Sequence, residues 1–251
     1  MEERLTCDLF LGGGLRIWQP EQGYRAGIDP VLLAASAPAE PGQSVLELGC
    51  GAGVASLCLG ARVAGLDLTG VELQPDYAAL ARRNAAANRI ALQVVTADLT
   101  DLPRELRVRS FDHVIANPPY FRRDRGSGAG DAGRETALGE ATPLSSWIDI
   151  AARRLAPGGR LTLIQRAERL PELFAALDRR LGSAELLPLS PRDGRPAKLV
   201  LLRARKGGRA AFRLHPPLVL HEGARHFRDA DTYEASVAAV LRQGAALPWP
   251  A

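Results

Sequence analysis

The stretch "QSVLELGCGAGVASLCLGAR" (residues 43–62) holds a strand, a glycine turn and a helix in immediate succession. Its apolar run predicts a buried strand, the three alternating glycines predict a tight turn, and "VASLCLGAR" predicts a helix. Gly49, Gly51 and Gly53 stand at the exit of the strand, where a ligand can approach the backbone because no Cβ atom blocks it. We therefore expect a ligand-binding strand, turn and helix at this point of the fold.

The alternation of strands and helices continues beyond residue 62. Strands are predicted at "LDLTGVEL", "ALQVVTADL", "FDHVIAN" and "RLTLIQ", and helices at "PDYAALARRNAAAN", "LSSWIDIAARRLA" and "AERLPELFAALDRRLG". Because these strands are continuous apolar runs, helices should cover both faces of their sheet. The sequence therefore predicts an α/β fold with a doubly wound, mostly parallel sheet.

Both ends of the chain extend this core. "IDPVLLAASA" predicts a short helix after an irregular start, whereas "AELLPLS" and "KLVLLRARK" predict a C-terminal antiparallel hairpin, followed by a helix through "TYEASVAAVLRQG". Residues 122–143 are rich in Gly, Ser and Ala without periodicity, which predicts a flexible loop. We expect a single domain over residues 1–251, in which residues 1–40 form an N-terminal segment and helix.

Composition and charge limit the function classes. No apolar run approaches the roughly 18 residues of a membrane span, and the acidic start is unlike a secretory signal, so we expect a cytoplasmic protein without a membrane partner. The three cysteines lack paired spacing, and the histidines lack metal-ligand spacing, so we expect reduced thiols and no metal. Residues 194–221 hold seven basic residues and no acidic one, which suits a polyanion or simply a solvated strand end and turn.

Acidic residues mark the ends of the first three core strands. Glu47 precedes the glycine turn, Glu72 ends the second strand and Asp98 ends the third. Ligands of open sheets lie at the carboxyl ends of the strands, where Glu72 can accept hydrogen bonds from a ribose diol and Asp98 one from an adenine amine. A dinucleotide fingerprint would need Gly or Ala at Val54, whereas the spacing from Glu47 to Gly53 resembles that of S-adenosylmethionine-dependent methyltransferases. A structural glycine turn with capping acids is the alternative.

The fourth core strand ends in "NPPY", residues 117–120, which we name the NPPY corner. A residue that precedes a proline is held extended, so Asn117 and Pro118 are both fixed. The Asn117 side-chain oxygen and the Pro118 carbonyl can then accept the two hydrogens of an aromatic amine and direct its lone pair at a methyl donor. Tyr120 offers a face on which a target base can stack. We therefore assign the catalytic role to Asn117, Pro118, Pro119 and Tyr120; a strand end with Tyr as core filler is the alternative.

Four stretches together resemble one known family. "ELGCGAG", "VELQPDYAALARRNAAAN" and "NPPYF", with the N-terminal "LGGGLRIWQPEQGYRAGIDPVLLAA", are similar to the Rossmann-like class I methyltransferases that act on planar amino groups. Within that class the chain resembles the bacterial family that methylates N6 of the adenine next to the anticodon of a valine tRNA. The resemblance covers roughly residues 8–205.

The resemblance implies a cofactor and a set of contacts. S-adenosylmethionine would lie over Gly49, Gly51 and Gly53 beside Glu47, with its ribose on Glu72 and its adenine ring on Asp98. Asp29 and Tyr24 belong to the N-terminal segment, which in such enzymes folds over the donor; a helix cap explains Asp29 equally well. The NPPY corner would hold the target base.

The implied partner is RNA, most specifically tRNA. Arg122, Arg123 and Arg134 follow the NPPY corner, where phosphates would pass, although a solvated loop with balancing acids is the alternative. Methylation of adenine in ribosomal RNA or DNA, or of a protein glutamine amide, would use the same amine chemistry. A non-catalytic nucleic-acid-binding or donor-sensing module is a further alternative, whereas an oxidoreductase is disfavoured by Val54. The oligomeric state has no signature in the sequence.

Overall fold

The computed structural model describes residues 4–122, 139–140, 142–223, 232–247 and 249–250. Its strands are β1 Leu5–Phe10, β2 Leu15–Pro20, β3 Ser44–Leu48, β4 Asp67–Glu72, β5 Leu92–Thr96, β6 Phe111–Ala116, β7 Phe121–Arg122, β8 Gly139–Glu140, β9 Leu155–Arg166, β10 Leu181–Ser190, β11 Leu199–Lys206, β12 Arg213–Leu214 and β13 Leu218–Val219. Its α-helices are α1 Asp29–Ser36, α2 Val54–Arg62, α3 Pro75–Asn88, α4 Arg104–Val108, α5 Leu144–Arg154, α6 Leu170–Ala176 and α7 Ala235–Gln243.

Nine of the described strands form one central sheet. Its strand order is β12-β10-β11-β9-β6-β3-β4-β5, and β13 also pairs with β10. The five strands from β9 to β5 run parallel, whereas β11 is antiparallel to both β9 and β10. The predicted mostly parallel sheet with a C-terminal antiparallel hairpin is therefore confirmed.

Helices cover both faces of this sheet. One face packs against α1, α2, α3 and α7 around a core that includes Leu32, Leu57 and Val237. The opposite face packs against α4, α5 and α6 around a core that includes Leu106, Ile148 and Leu173. Because β3 and β6 lie between these two cores, their side chains are buried almost throughout, which explains their continuous apolar sequences.

The chain begins with a β-hairpin that the sequence analysis did not predict. Strands β1 and β2 pair antiparallel, and the turn between them contains Gly12 at φ 64°. A Cβ atom at Gly12 would lie 2.5 Å from the carbonyl oxygen of Arg242 in α7, so only glycine fits where the turn meets that helix. The expected irregular start was wrong because the alternating exposure of "LTCDLF" was not recognised as a strand pattern.

Two asparagines of α3 hold the free edge of β2. Asn84 bonds the backbone N–H and C=O of Trp18 at 2.8 and 3.0 Å, and Asn88 bonds those of Arg16 at 2.9 and 2.8 Å. The spacing of four residues places both carboxamides on one side of the helix, where they replace the ladder of a neighbouring strand. These contacts attach the N-terminal hairpin to the core.

Two element boundaries differ from the prediction. Strand β9 begins at Leu155 rather than at residue 160, because "APGG" enters the sheet as an irregularity opposite Phe111 and His113 instead of forming a turn. The helix predicted through "AERLPELFAALDRRLG" ends at Ala176, since Leu177 is extended and Leu181 starts β10. Each boundary is decided by pairing with a strand distant in sequence.

Strands β7 and β8 pair parallel at residues 121–122 and 139–140, and they bring together the two ends of most of the predicted loop. Residues 123–138 and 141 of the predicted loop 122–143 lie outside the described residues. None of the described helices is long and apolar enough to cross a membrane.

Candidate functional site

A cavity of about 980 Å³ opens at the carboxyl ends of β3, β4, β5 and β6. It connects the glycine turn after β3 with the NPPY corner after β6. The predicted site residues that line it are Asp29, Glu47, Gly49, Gly51, Glu72, Asp98, Asn117, Pro118, Pro119 and Tyr120. Donor-side and acceptor-side candidates therefore share a single space.

The three glycines of the turn have different surroundings. Gly49 has φ 64°, and a Cβ atom there would lie 2.6 Å from Cη2 of Trp147 in α5. Gly51 has φ 52° and open space on its Cβ side, so it lets a ligand reach the backbone. Gly53 has φ 84° and precedes α2, but it does not line the cavity. The prediction of ligand contact is thus best supported at Gly51, while Gly53 acts on the backbone conformation.

Glu72 is hydrogen-bonded to the backbone of the glycine turn. Its Oε2 accepts a hydrogen bond from the Gly51 N–H at 2.8 Å, and its Oε1 accepts one from the Gln74 N–H at 2.9 Å. Burial raises the pKa of this carboxyl, against the lowering effect of these backbone bonds. Each carboxyl oxygen can accept a further hydrogen bond. Glu72 can therefore bind a ribose, as predicted, while it also holds the backbone N–H groups of Gly51 and Gln74.

Glu47 is the most deeply buried carboxyl of the site. Its Oε2 accepts hydrogen bonds from both the N–H and the hydroxyl of Ser56 in α2. Burial raises the pKa of Glu47 to about 8, and the nearby Glu72 carboxyl adds to the increase. Ionised Glu72 therefore makes ionisation of Glu47 less favourable, because the two carboxylates would repel each other.

Asp98 follows β5 and combines two roles. Its Oδ1 accepts hydrogen bonds from the N–H and the hydroxyl of Thr100, both at 2.7 Å, and so caps the short 3₁₀ turn that follows. The side chain also belongs to the cavity lining, as the prediction of an adenine contact requires.

The N-terminal segment forms one wall of the cavity. The hydroxyl of Tyr77 in α3 accepts from the Tyr24 N–H at 2.9 Å and donates to the Tyr24 carbonyl at 3.0 Å. Arg25 binds the carboxylate of Asp8 in β1 and the Pro20 carbonyl. Tyr24 and Arg25, in the middle of residues 20–27, are therefore held in place at the cavity wall, where the sequence predicts a segment that covers a ligand.

The side chain of Asn117 presents an unused acceptor. Its Oδ1 is buried and has no hydrogen-bond partner among the described residues. A buried acceptor without a partner is costly, so a ligand amine in this cavity would satisfy it. This is the property that the amine-binding role of Asn117 requires.

Tyr120 and Asp29 are in direct contact. The Tyr120 hydroxyl donates a hydrogen bond to Oδ2 of Asp29, and the Arg166 guanidinium lies 5.7 Å from the Tyr120 ring centroid. Burial raises the pKa of both Tyr120 and Asp29. Asp29 was predicted to contact the methyl donor. It lines the cavity, and its hydrogen bond with Tyr120 connects it to the side of the cavity that is predicted to hold the methyl-accepting base.

Several residues of the site were missed by sequence reasoning. Trp147 packs on Gly49, and Gln165 and Arg169 contact the prolyl carbonyls of the NPPY corner. Leu73 lines the cavity with 51% of its surface exposed, as an apolar contact for a ligand ring. Leu73 could have been found, because it follows the acid that ends β4; the others come from α5, β9 and the 3₁₀ turn after β9 and have no local motif.

The arginine candidates are only partly described. Arg122 belongs to β7, while Arg123 and Arg134 lie outside the described residues. In the described part of the chain, no group of three or more His, Cys, Asp and Glu side chains is arranged to hold a metal ion.

The solved structures to which the chain is similar include methyltransferases. The chain is similar to a crystal structure named a predicted O-methyltransferase from Agrobacterium tumefaciens, with a TM-score of 0.70 and 29% identity over 87% of this chain and 97% of that one. It also shares the fold of the Thermus thermophilus 16S rRNA N2 G1207 methyltransferase in complex with AdoMet and guanosine, with a TM-score of 0.55 and 22% identity over 81% of this chain and 50% of that one.

Sequence comparison places the chain more narrowly. The family model of the methyltransferase small domain matches residues 27–188. A tRNA1(Val) (adenine(37)-N6)-methyltransferase from Porphyromonas gingivalis is 32% identical over 235 residues, which are 89% of this chain and 91% of that protein. The enzyme of the same name from Dickeya chrysanthemi is 30% identical, over 87% of this chain and 86% of its own. The chain therefore belongs to the methyltransferase small domain family and, within it, to the tRNA1(Val) (adenine(37)-N6)-methyltransferases.

Proposed function

We propose that the protein transfers a methyl group from S-adenosylmethionine to N6 of an adenine in RNA, and that this adenine lies in a tRNA anticodon loop. The observation that carries the proposal is the single cavity that joins the glycine turn to Asn117, whose buried Oδ1 has no hydrogen-bond partner among the described residues. The names of the similar enzymes support adenine 37 of tRNA1(Val) as the target. We further propose that the chain acts as one methyltransferase domain in the cytoplasm.

The donor side of the cavity fits this cofactor. Bound there, S-adenosylmethionine supplies an electrophilic methyl group on a positively charged sulfur. The chain offers Gly51 without a Cβ obstacle, the apolar surface of Leu73, and the carboxyls of Glu47, Glu72 and Asp29. Carboxyls crowded by burial favour a cationic ligand, because it compensates their charge.

The acceptor side fits a planar amine. The Asn117 Oδ1 and the Pro118 carbonyl can accept its two hydrogens and thereby turn its lone pair away from the aromatic ring. The ring of Tyr120 lines the same cavity, so the base can stack on it. No side chain has to remove a proton before transfer; the residues orient the amine and stabilise the charge that develops on it.

An adenine in a loop must leave its stack to reach this corner. Bases in single-stranded RNA loops can be splayed out and stacked on aromatic side chains, which favours an RNA loop over a duplex. Arg122, Arg123 and Arg134 would then contact phosphates beside the target base. A non-catalytic module is the less favoured reading, since it gives no reason for an unpaired buried acceptor at Asn117.

The test is to incubate the protein with labelled S-adenosylmethionine and with separated tRNA, ribosomal RNA, DNA and protein fractions. Digestion and mass spectrometry of the labelled fraction then identify the product. We expect N6-methyladenosine in tRNA. Label in another fraction, or at another atom, would replace the proposed substrate, and no label in any fraction would contradict the proposal.

The RNA partner has its own measurement. If arginines contact several phosphates, the affinity for tRNA should fall steeply as the salt concentration rises, because each contact releases counterions. Filter binding or fluorescence anisotropy over a salt series measures this slope. A flat response would remove the arginine contacts from the proposal.

A further inference from the structure

The two prolines leave the middle of the NPPY corner without backbone donors. Neither Pro118 nor Pro119 has an N–H group, so this part of the chain cannot be fixed by donating into a ladder. Pro118 is buried, and its carbonyl needs a partner from elsewhere in the fold. The direction of that carbonyl matters, because it is one of the two acceptors assigned to the amine.

Gln165 supplies that partner. It lies near the end of β9, is 0% exposed, and its Nε2 is 3.4 Å from the carbonyl oxygens of both Pro118 and Pro119. Its Oε1 accepts a hydrogen bond from the Arg166 N–H at 2.8 Å. Because the oxygen is engaged by a backbone donor, the carboxamide has one orientation, with its NH₂ group toward the corner.

Arg169 adds a second donor. Its Nη1 lies 3.5 Å from the Pro119 carbonyl, and its Nη2 binds Oε2 of Glu172 at 2.7 Å. Its side chain is 5% exposed, so the guanidinium is held in place by its surroundings. At 3.4 to 3.5 Å, the contacts of Gln165 and Arg169 with the prolyl carbonyls are long, so each contributes little to the stability of the fold.

We propose that Gln165 is a positioning residue for methyl transfer, which fixes the Pro118 carbonyl so that its free lone pair faces the amine of the target base. A carbonyl oxygen has two lone pairs, and Gln165 occupies one side. The inference rests on the proposed function, because it concerns how the same corner holds the amine. Gln165 itself touches neither the donor nor the base.

Two variants separate the donated hydrogen bond from the shape of the side chain. Gln165→Glu keeps an oxygen for the Arg166 N–H and the same length, but burial at this 0% exposed position favours the protonated carboxyl, whose O–H can still donate to a prolyl carbonyl. Gln165→Met keeps the length of the side chain and removes both the donor to the prolyl carbonyls and the acceptor for the Arg166 N–H. Thr162→Val is the matched control, because Thr162 lies on the same strand, is 0% exposed, and has a buried hydroxyl without a partner among the described residues.

Single-turnover rates and donor dissociation constants should be measured for all four proteins, together with melting temperatures. We expect Gln165→Met to lose about 10- to 100-fold in the rate of transfer to RNA and Gln165→Glu to lose less, while the donor dissociation constant stays within about twofold in both, since misplacement of an acceptor affects the reacting geometry only. Thr162→Val should transfer at the wild-type rate.

The outcomes are distinguishable. If the wild type methylates adenine and Gln165→Met transfers as fast as Thr162→Val, the positioning role is wrong and the proposed function stands. If the variants lose rate and donor affinity together, Gln165 is a structural residue of the whole site and the inference is again wrong. If the wild type methylates no adenine, the proposed function fails and the inference with it.

Discussion

Tyr120 of the NPPY corner donates a hydrogen bond from its hydroxyl to Oδ2 of Asp29, which precedes it by 91 residues. Asp29 is the first residue of α1, at the end of the N-terminal segment that covers the cavity. The bond therefore connects the N-terminal wall of the cavity with the ring on which we propose that the base stacks. It also gives a buried carboxyl a partner.

The Tyr120–Asp29 pair leads to the first prediction. Tyr120→Ala should weaken productive RNA binding by about 1–3 kcal/mol, because the stacking surface is lost. Tyr120→Phe keeps the ring and loses only the hydrogen bond, so it should retain most of the activity and lower the melting temperature. Steady-state kcat/KM with tRNA measures the first effect and calorimetry the second. Equal losses in both variants would show that the hydroxyl, not the ring, is needed.

Asn117 gives the second prediction. Asn117→Ala removes one of the two acceptors and should lower the transfer rate about 10²- to 10³-fold, as the loss of one preorganised group does elsewhere. Asn117→Asp keeps an acceptor oxygen and should lose less. Isothermal titration with the donor is the control, since its affinity should survive in both variants. A near-normal rate in Asn117→Ala would show that Asn117 is not an acceptor for the target amine.

Gly49 gives the third prediction. Gly49→Ala should destabilise the protein by at least about 1 kcal/mol, because alanine is strained at this positive φ and its Cβ would collide with the Trp147 ring. Trp147→Phe shortens the ring, so the double variant should lose less than the sum of the two single losses. Urea unfolding of all four proteins forms the cycle. Strict additivity would mean that the ring and the glycine do not constrain each other.

Glu72 gives the fourth prediction. Glu72→Ala leaves the Gly51 and Gln74 N–H groups without their acceptor, so the glycine turn loosens and the donor dissociation constant should rise by about tenfold or more. Glu105→Ala on the exposed surface of α4 is the control of equal charge change. Calorimetry compares the two. Unchanged donor affinity in Glu72→Ala would remove Glu72 from the site.

Glu47 gives the fifth prediction, on pH. Its pKa is raised from 4.5 to about 8 in the fold, so between these values the folded protein keeps a proton that the unfolded chain has lost. The free energy of unfolding should then fall by up to about 1.4 kcal/mol per pH unit as the pH rises through this window. Glu47→Gln cannot ionise, so the part of the loss that Glu47 causes should disappear, whereas Glu72 and Asp29, whose pKa values burial also raises, keep their own parts. Urea unfolding across the window checks this; parallel pH profiles of the two proteins would contradict it.

Regular elements with a local signature were predictable from the sequence. Helices α2 and α3 have the bounds that "VASLCLGAR" and "PDYAALARRNAAAN" indicated, because a glycine turn and a proline mark where each begins. The strand after α2 ends at Glu72, and the strand after α3 ends two residues before Asp98; both acids line the cavity. The N-terminal hairpin was not predictable in this way, since Asn84 and Asn88 stabilise it from a helix more than 60 residues later.

The residues of the candidate site likewise divide into those with a local sequence signal and those that depend on contacts distant in sequence. Residues directly after a strand, such as Glu72 and Asn117, are located by the rule that ligands lie at the carboxyl ends of the sheet. Trp147 and Gln165 come from other elements, and their contacts depend on how α5 and β9 pack. The bond between Tyr120 and Asp29 likewise joins two residues that were predicted separately, for different sides of the reaction.

The double proline also determines how the corner can be observed. A backbone ¹H–¹⁵N correlation spectrum contains no peak for Pro118 or Pro119, because neither residue has an amide hydrogen. The Gln165 carboxamide, whose NH₂ group faces both prolyl carbonyls, contributes a pair of side-chain resonances at that very place. Magnetic resonance can therefore follow the arrival of a nucleobase through a glutamine on β9, at a point where the main chain gives no amide resonance.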